Sequence, residues 1–96
     1  MKDLLLTDRA MWDLVQMESQ RQVMKWGIQD RTPFEWMTYI TEEVGELAEA
    51  ISEHAYRGGR ADCVTREAIQ TATLCLKVAE MYLNIERHSA RGSGGV

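Results

Sequence analysis

The chain has 96 residues, of which 45% are hydrophobic and 27% charged, the composition of a small globular domain. A chain of this length buries only about 60–65% of the surface that its unfolded form exposes, which excludes a second domain or a barrel with its own ligand cavity. The 11 basic and 15 acidic residues give a net charge of −4. That charge argues against a nucleic acid polymer as partner, because such a partner requires a basic patch.

Capping signals predict two helices in the first part of the chain. The first runs from Thr7, a suitable N-cap, to Trp26, and Gly27 follows it. The second begins at Thr32-Pro33-Phe34-Glu35, where Thr32 is the N-cap, Pro33 takes the first helical position and Glu35 completes a capping box.

A third helix follows the pair Gly58-Gly59, which ends the second. It begins between Ala61 and Thr65 and extends to about His88. We therefore expect a single all-α domain over residues 1–88 and a flexible Gly/Ser tail over residues 89–96.

The third helix is apolar around most of its circumference. Its polar strip is narrow and consists of Gln70, Thr73, Lys77, Glu80 and Asn84. A helix of this kind is buried on more than one side, and two other helices of similar length cannot surround it. We therefore expect a three-helix chain whose helical bundle is completed by a second subunit. Narrower apolar stripes are predicted on the first helix (Ala10, Leu14, Met17, Met24) and on the second (Phe34, Met37, Thr41, Val44, Ala48, Ile51, Ala55).

The second helix carries a group of carboxylates that an ordinary helix would avoid. Glu42, Glu43 and Glu46 lie within five residues and repel one another, with no cation at the i+4 positions of Glu42 and Glu43. Gly45 within the same turn costs up to about 1 kcal/mol relative to Ala, and it would allow another backbone or a ligand to approach closely. The repelling carboxylates and the helical glycine are both locally unfavourable, and their proximity indicates a functional site. The alternative is an acidic helix face in contact with solvent.

Glu67 favours the site, because it lies on the apolar line of Leu74, Val78 and Ile85 of the third helix. A carboxylate there is costly unless it is paired or bound to a cation. Gln70 follows one turn later, so that Glu43 with Glu46 and Glu67 with Gln70 form two i, i+3 pairs. Oxygen ligands of this kind suit Mg²⁺, or alternatively Mn²⁺, and not Zn²⁺.

This pattern resembles the MazG-like all-α nucleoside triphosphate pyrophosphohydrolases. Their signature is ExxE, a spacer and ExxD, and here Glu43-x-x-Glu46 is followed after twenty residues by Glu67-x-x-Gln70. The run Glu46-Leu47-Ala48-Glu49-Ala50-Ile51 and the stretch from Trp26 to Gln29 before Pro33 and Trp36 are also similar to the family, and the likeness covers roughly residues 10–87. The resemblance implies a Mg²⁺-dependent enzyme that cleaves NTP or dNTP to NMP and pyrophosphate, in a homodimer or homotetramer, with nucleotide housecleaning as one role.

The resemblance also implies roles for individual residues. Glu43, Glu46 and Glu67 would hold Mg²⁺, and Gln70, which replaces the usual Asp, would be a weaker ligand or would orient a water molecule. Glu42 or a metal-bridged carboxylate would be the general base. The substrate-binding candidates are Arg21, Lys25, Trp26, Gln29 and Lys77. Each candidate also has a purely structural alternative. Arg21 and Lys25 could extend over the edge of the core or pair with glutamates of the second helix. Lys77 could pair with Glu80, and Trp26 could be a core or interface anchor.

Two alternatives to an enzyme stay open. The first is a nucleotide-binding regulator on the same scaffold, with weak or no hydrolysis because of Gln70. The second is a helical dimerisation or partner-binding module. Cys63 and Cys75 form neither a CxxC pair nor a disulfide framework, so we expect reduced core thiols in a cytoplasmic protein. We expect no membrane association, because no apolar run approaches about 20 residues.

Overall fold

The computed structural model describes residues 1–94, with side chains described as far as Ser89. It contains three helices, α1 (Arg9–Trp26), α2 (Pro33–Arg57) and α3 (Ala61–Gly94), and no strand occurs in residues 1–94. The predicted all-α class is therefore confirmed. Across the same residues, none of the helices combines the length and the apolar character that crossing a membrane requires.

The helix boundaries follow the predicted caps with one correction. The N-cap of α1 is Asp8 and not Thr7, because the Asp8 carboxylate accepts a hydrogen bond of 2.9 Å from the backbone N–H of Ala10. The capping box of α2 is confirmed, since the Thr32 hydroxyl accepts from the Glu35 N–H at 3.2 Å while the Glu35 carboxylate accepts from the Thr32 N–H at 3.1 Å. Gly58 ends α2 in the left-handed conformation, at a φ of 71° that favours glycine.

α3 begins at Ala61, within the predicted interval, but continues beyond the predicted end near His88 to Gly94. No proline or glycine interrupts residues 61–91, so nothing in the sequence stops the helix earlier. Residues 95 and 96 and the side chains from Ala90 onward lie outside the described part of the chain. Residues 89–94 of the predicted tail over residues 89–96 thus belong to α3, and the flexibility of that segment stays a prediction.

α3 is the central element of the fold. It packs against α2 along one side and against α1 along another, whereas α1 and α2 do not pack directly against each other within residues 1–94. Among the residues with described side chains, those classed as buried are Glu18 on α1, Trp36 on α2 and Thr73 on α3. The Trp36 ring meets the Tyr39 ring edge to face at a centroid distance of 6.1 Å.

The inward face of α1 differs from the predicted stripe. Met17 and Met24 are exposed, and the side chains of α1 that are at least partly buried are Met11, Val15, Glu18, Ser19, Gln22 and Val23. Hydrophobic periodicity missed this face because half of its members are polar, and Glu18 and Gln22 are paired by hydrogen bonds rather than by apolar contact.

Gln70, Thr73 and Lys77 of the polar strip of α3 are at least partly buried, whereas Glu80, Asn84 and much of the apolar circumference are exposed. Thr73 is 1% exposed and donates its hydroxyl proton to the carbonyl of Ile69, whereas Leu76, Leu83 and Ile85 are exposed. The predicted stripe of α2 is likewise exposed, with Phe34 at 84%. Cys75 is exposed rather than part of a core, and both cysteines are free thiols. A single chain leaves these apolar surfaces uncovered, and completion of the bundle by a second subunit stays a prediction.

Candidate functional site

Three carboxylates from α2 and α3 form one cluster. Glu43 and Glu46 lie one turn apart on α2, and Glu67 faces them from the first turns of α3. One oxygen from each of the three side chains lies within 4.8 Å of the others. The predicted i, i+3 spacing therefore brings these three residues together across the α2–α3 interface.

The cluster is electrostatically strained without a cation. Partial burial and the nearby carboxylates of Glu46 and Glu67 together raise the pKa of Glu43 to about 7. Burial also raises the pKa of Glu67, with Glu46 again contributing. Glu43 is therefore partly protonated at neutral pH, because the cluster disfavours a further negative charge, and a bound cation would favour the ionised form.

Gln70 completes the cluster as a hydrogen-bond donor. In the orientation that satisfies its amide, Nε2 donates to Glu43 Oε2 at 3.2 Å and to Glu67 Oε2 at 3.0 Å. The amide therefore offsets part of the repulsion between the two carboxylates. To ligate a metal ion, Gln70 would have to turn its carbonyl oxygen toward the cluster.

The donor set fits Mg²⁺ or Mn²⁺. Three carboxylates and an amide supply only oxygen, which these ions prefer. One oxygen of each carboxylate lies within 4.8 Å of the others, so side-chain rotations would bring all three to one ion. Among the described residues, no histidine or cysteine belongs to this cluster.

A cleft of about 720 Å³ runs from this cluster to α1. Glu42, Glu43 and Gln70 line it at one end, while Glu46 and Glu67 belong to the cluster but do not line the cleft. All five predicted substrate-binding residues line it as well, namely Arg21, Lys25, Trp26, Gln29 and Lys77. The structure thus brings Glu42, Glu43 and the predicted cations to one cavity, and Glu46 and Glu67 adjoin it through Glu43.

The cations Arg21 and Lys77 are held by a network that the sequence did not predict. Arg21 forms an ion pair of 2.8 Å with Glu18 on its own helix rather than with a glutamate of α2. Lys77 donates to the Gln22 side chain at 2.8 Å, so the predicted alternative of a pair with Glu80 is wrong. The signal that could have identified this network was spacing, because Arg21 and Gln22 follow Glu18 by three and four residues on one helix.

Aromatic side chains border the same cleft. The Lys25 ammonium lies 4.7 Å from the centroid of the Trp26 ring, and the Arg31 guanidinium lies 5.9 Å from the centroid of the Tyr39 ring. Trp26 is 58% exposed, so its ring is accessible to a planar ligand and is not a core anchor of this chain. Trp36 also lines the cleft but is buried against Tyr39.

The space around Gly45 differs from the prediction. A Cβ atom built on Gly45 would meet nothing within 4 Å, so no backbone of the described chain approaches it. Gly45 also does not line the cleft.

Comparison of the chain with protein-family models, with curated proteins and with solved structures finds no match. The family likeness therefore rests on the motif residues themselves, and the function has to be argued from the cluster and the cleft.

Proposed function

We propose that the protein is a Mg²⁺-dependent nucleoside triphosphate pyrophosphohydrolase. The observation that carries the proposal is the cleft that joins the oxygen-rich carboxylate cluster to a cationic wall, formed by Arg21, Lys25 and Lys77, and to an exposed indole ring. Nucleoside triphosphates combine the features that such a cleft would recognise, namely an anionic phosphate chain that coordinates Mg²⁺ and a planar base. The resemblance of the Glu43, Glu46, Glu67 and Gln70 spacing to the MazG-like family supports the same assignment.

The roles of the side chains follow from their places in the cleft. Glu43, Glu46 and Glu67 would hold the metal ion, with Mn²⁺ as an alternative to Mg²⁺. Bound there, the ion would neutralise charge on the phosphate oxygens and make a water molecule more acidic. Glu42 lines the cleft beside the cluster and is exposed, so its carboxylate is available to accept a proton from the attacking water.

The opposite wall would hold the substrate. Arg21, Lys25 and Lys77 would contact phosphate oxygens, and Gln29 would hydrogen-bond to the nucleotide. Trp26 would stack on the base. Gln70 and Lys77 lie two turns apart on α3, a rise of about 10 Å, so the cluster and Lys77 would contact different parts of the ligand.

The second candidate is a nucleotide-binding regulator that hydrolyses weakly or not at all. The observation that favours it is the amide of Gln70, which donates to Glu43 and Glu67 in place of a fourth carboxylate. That amide reduces the negative charge available to the metal ion.

We further propose that a second copy of the chain covers the exposed apolar faces of α2 and α3, in a homodimer or homotetramer. Exposed side chains such as Phe34, Leu83 and Ile85 form a surface that a soluble monomer would seldom present. Sedimentation equilibrium of the wild-type chain and of Leu83→Glu tests this proposal. We expect an oligomer for the wild type and a smaller species for the variant, and a monomeric wild type would contradict it.

The decisive experiment measures pyrophosphate release from canonical and modified nucleoside triphosphates, with Mg²⁺, with Mn²⁺ and with a chelator. We expect metal-dependent turnover that falls more than about 100-fold in Glu46→Ala and in Glu67→Ala, because each variant removes a direct metal ligand. Glu49→Ala is the matched control, since Glu49 lies one turn beyond Glu46 on α2 but outside the cluster and the cleft.

Three results would change the assignment. Full turnover in Glu46→Ala or Glu67→Ala, with wild-type helix content by circular dichroism, would show that the metal site is wrong. Nucleotide binding without turnover in the wild type would favour the regulator. Indifference to both metal and nucleotide would favour a partner-binding module.

A further inference from the structure

A buried carboxylate lies behind the cationic wall of the cleft, and the proposed reaction does not use it. Glu18 of α1 is 9% exposed and is the only carboxylate classed as buried among residues 1–89. Its side chain does not line the cleft. A carboxylate at that depth is unfavourable unless hydrogen bonds replace its hydration, so its contacts indicate its role.

Both carboxylate oxygens of Glu18 accept hydrogen bonds from Arg21. Oε1 accepts from Arg21 Nε at 2.8 Å, and Oε2 accepts from Arg21 Nη2 at 2.8 Å. Burial acts to raise the pKa of Glu18, but the hydrogen bonds from Arg21 and Gln22 and the nearby cationic charges lower that pKa overall. The carboxylate is therefore ionised at neutral pH, and the two-point contact fixes the plane of the guanidinium.

Glu18 also fixes Lys77, which belongs to a different helix. Gln22 Nε2 donates to Glu18 Oε2 at 2.8 Å, and this bond fixes which end of the amide faces α3. Gln22 Oε1 then accepts from Lys77 Nζ at 2.8 Å. One carboxylate thus holds a guanidinium directly and an ammonium through one intervening amide.

We propose that Glu18 is a positioning residue that presents Arg21 and Lys77 together to the phosphate oxygens of an anionic ligand in the cleft. The inference rests on the proposed function and extends it to the ordering of the anion-binding wall. Of the five N–H groups of Arg21, two bind Glu18 and three remain for a ligand, and Lys77 retains two of its three. Both side chains are long, so holding them in place beforehand reduces the entropy that they lose on binding.

Net charge alone predicts that anion binding strengthens when the charge of Glu18 is removed. Its negative charge offsets part of the positive charge of Arg21, Lys25 and Lys77, so Glu18→Gln would strengthen anion binding if only net charge mattered. If the fixed positions of Arg21 and Lys77 matter more than net charge, Glu18→Gln weakens anion binding, because the neutral amide offers one acceptor in place of the two-point carboxylate contact. The sign of the change therefore separates the two explanations.

The test is calorimetric titration of inorganic tripolyphosphate into the full chain at a fixed Mg²⁺ concentration. We expect about tenfold weaker binding for Glu18→Gln than for the wild type. Glu53→Gln is the matched control, because it makes the same substitution in the exposed Glu53–Arg57 ion pair of α2 and should leave the affinity unchanged. Gln22→Met releases Lys77 while the Glu18–Arg21 pair remains, and it should weaken binding about threefold. This second variant keeps the test decisive if Glu18→Gln does not fold.

Two further readouts separate positioning from a general structural role. In Glu18→Gln, the Mg²⁺ affinity of the cluster should equal that of the wild type, because the ligands belong to α2 and α3. The KM for a nucleotide substrate should rise about tenfold while kcat changes little, as expected for contacts made equally in the ground and transition states.

The outcomes also distinguish this inference from the proposed function. Equal or tighter tripolyphosphate binding in Glu18→Gln, or no binding to the wild type, would overturn the inference. Turnover of nucleotides with an unchanged KM in Glu18→Gln would overturn it while the proposed function stood. Weaker tripolyphosphate binding in the variant, with no turnover by the wild type, would support the inference and refute the enzyme.

Discussion

Glu43→Gln tests whether the carboxylate cluster is held in a repulsive state that a cation relieves. The variant replaces one carboxyl by a neutral amide of the same shape. In the native protein the pKa of Glu43 is raised to about 7 by burial and by Glu46 and Glu67, from an ordinary value of 4.5. The folded state therefore binds a proton more readily than the unfolded state between these two pH values, so stability rises as pH falls through this interval and is lost as pH rises through 7.

The size of the effect follows from the same rise in pKa. At 1.36 kcal/mol for each pKa unit, the rise in the pKa of Glu43 corresponds to at most about 3.4 kcal/mol in the free energy of unfolding. Because Glu43 is only partly buried, solvent screening reduces the expected effect to about 1–2 kcal/mol. Glu43→Gln should thus be more stable than the wild type by about 1–2 kcal/mol at pH near 8 without metal, and the two should converge near pH 4.5.

Urea unfolding followed by circular dichroism, at one protein concentration and with a chelator, measures this difference. Glu49→Gln, which removes a charge from α2 outside the cluster, should follow the pH dependence of the wild type. Adding Mg²⁺ should then stabilise the wild type but not Glu43→Gln. Parallel pH curves for the wild type and Glu43→Gln, or a less stable variant at high pH, would refute the electrostatic explanation.

Two further substitutions address neighbouring positions. Gln70→Asp removes the amide that donates to Glu43 and Glu67 and adds a fourth negative charge, so the metal-free protein should lose about 1–2 kcal/mol of stability. Calorimetry of the same variant should show tighter Mg²⁺ binding, and an unchanged affinity would place Gln70 outside the ligand set. Gly45→Ala should gain about 0.5–1 kcal/mol, because the added methyl group enters open space within a helix. A loss in urea unfolding would instead indicate that a second chain packs against this glycine.

The sequence predicted the helices well because their ends are set by local chemistry. The capping box at Thr32 and the left-handed Gly58 depend on a few adjacent residues, so they can be recognised without tertiary information. The cluster was also predictable, because i, i+3 spacing places Glu43 with Glu46 and Glu67 with Gln70 on single helix faces. The sequence did not show that α2 packs against α3, so this contact had to be assumed.

The inward faces were less predictable, because apolar periodicity is informative only when the interior is apolar. Here Glu18, Gln22 and Thr73 turn inward, where hydrogen bonds satisfy them. Phe34 and Leu83 turn outward in the single chain. An interior of paired polar groups leaves no apolar periodicity in the sequence. The network that orders Arg21 and Lys77 could therefore be found only from the packed structure.

The central position of α3 makes the two ends of the cleft mechanically separable. The carboxylate cluster spans α2 and α3, the cationic wall spans α1 and α3, and the backbones of α1 and α2 do not approach each other within the described residues. A shift of α1 along or away from α3 would therefore change the distance from Arg21 and Lys25 to the carboxylates, whereas Lys77 and Glu67 share α3 and would keep their spacing. Such a shift would leave the carboxylate cluster unaltered and would let the cleft fit anions of different length. Substitutions at the α1–α3 contact would then tune which anion fits while the affinity for the cation stays constant.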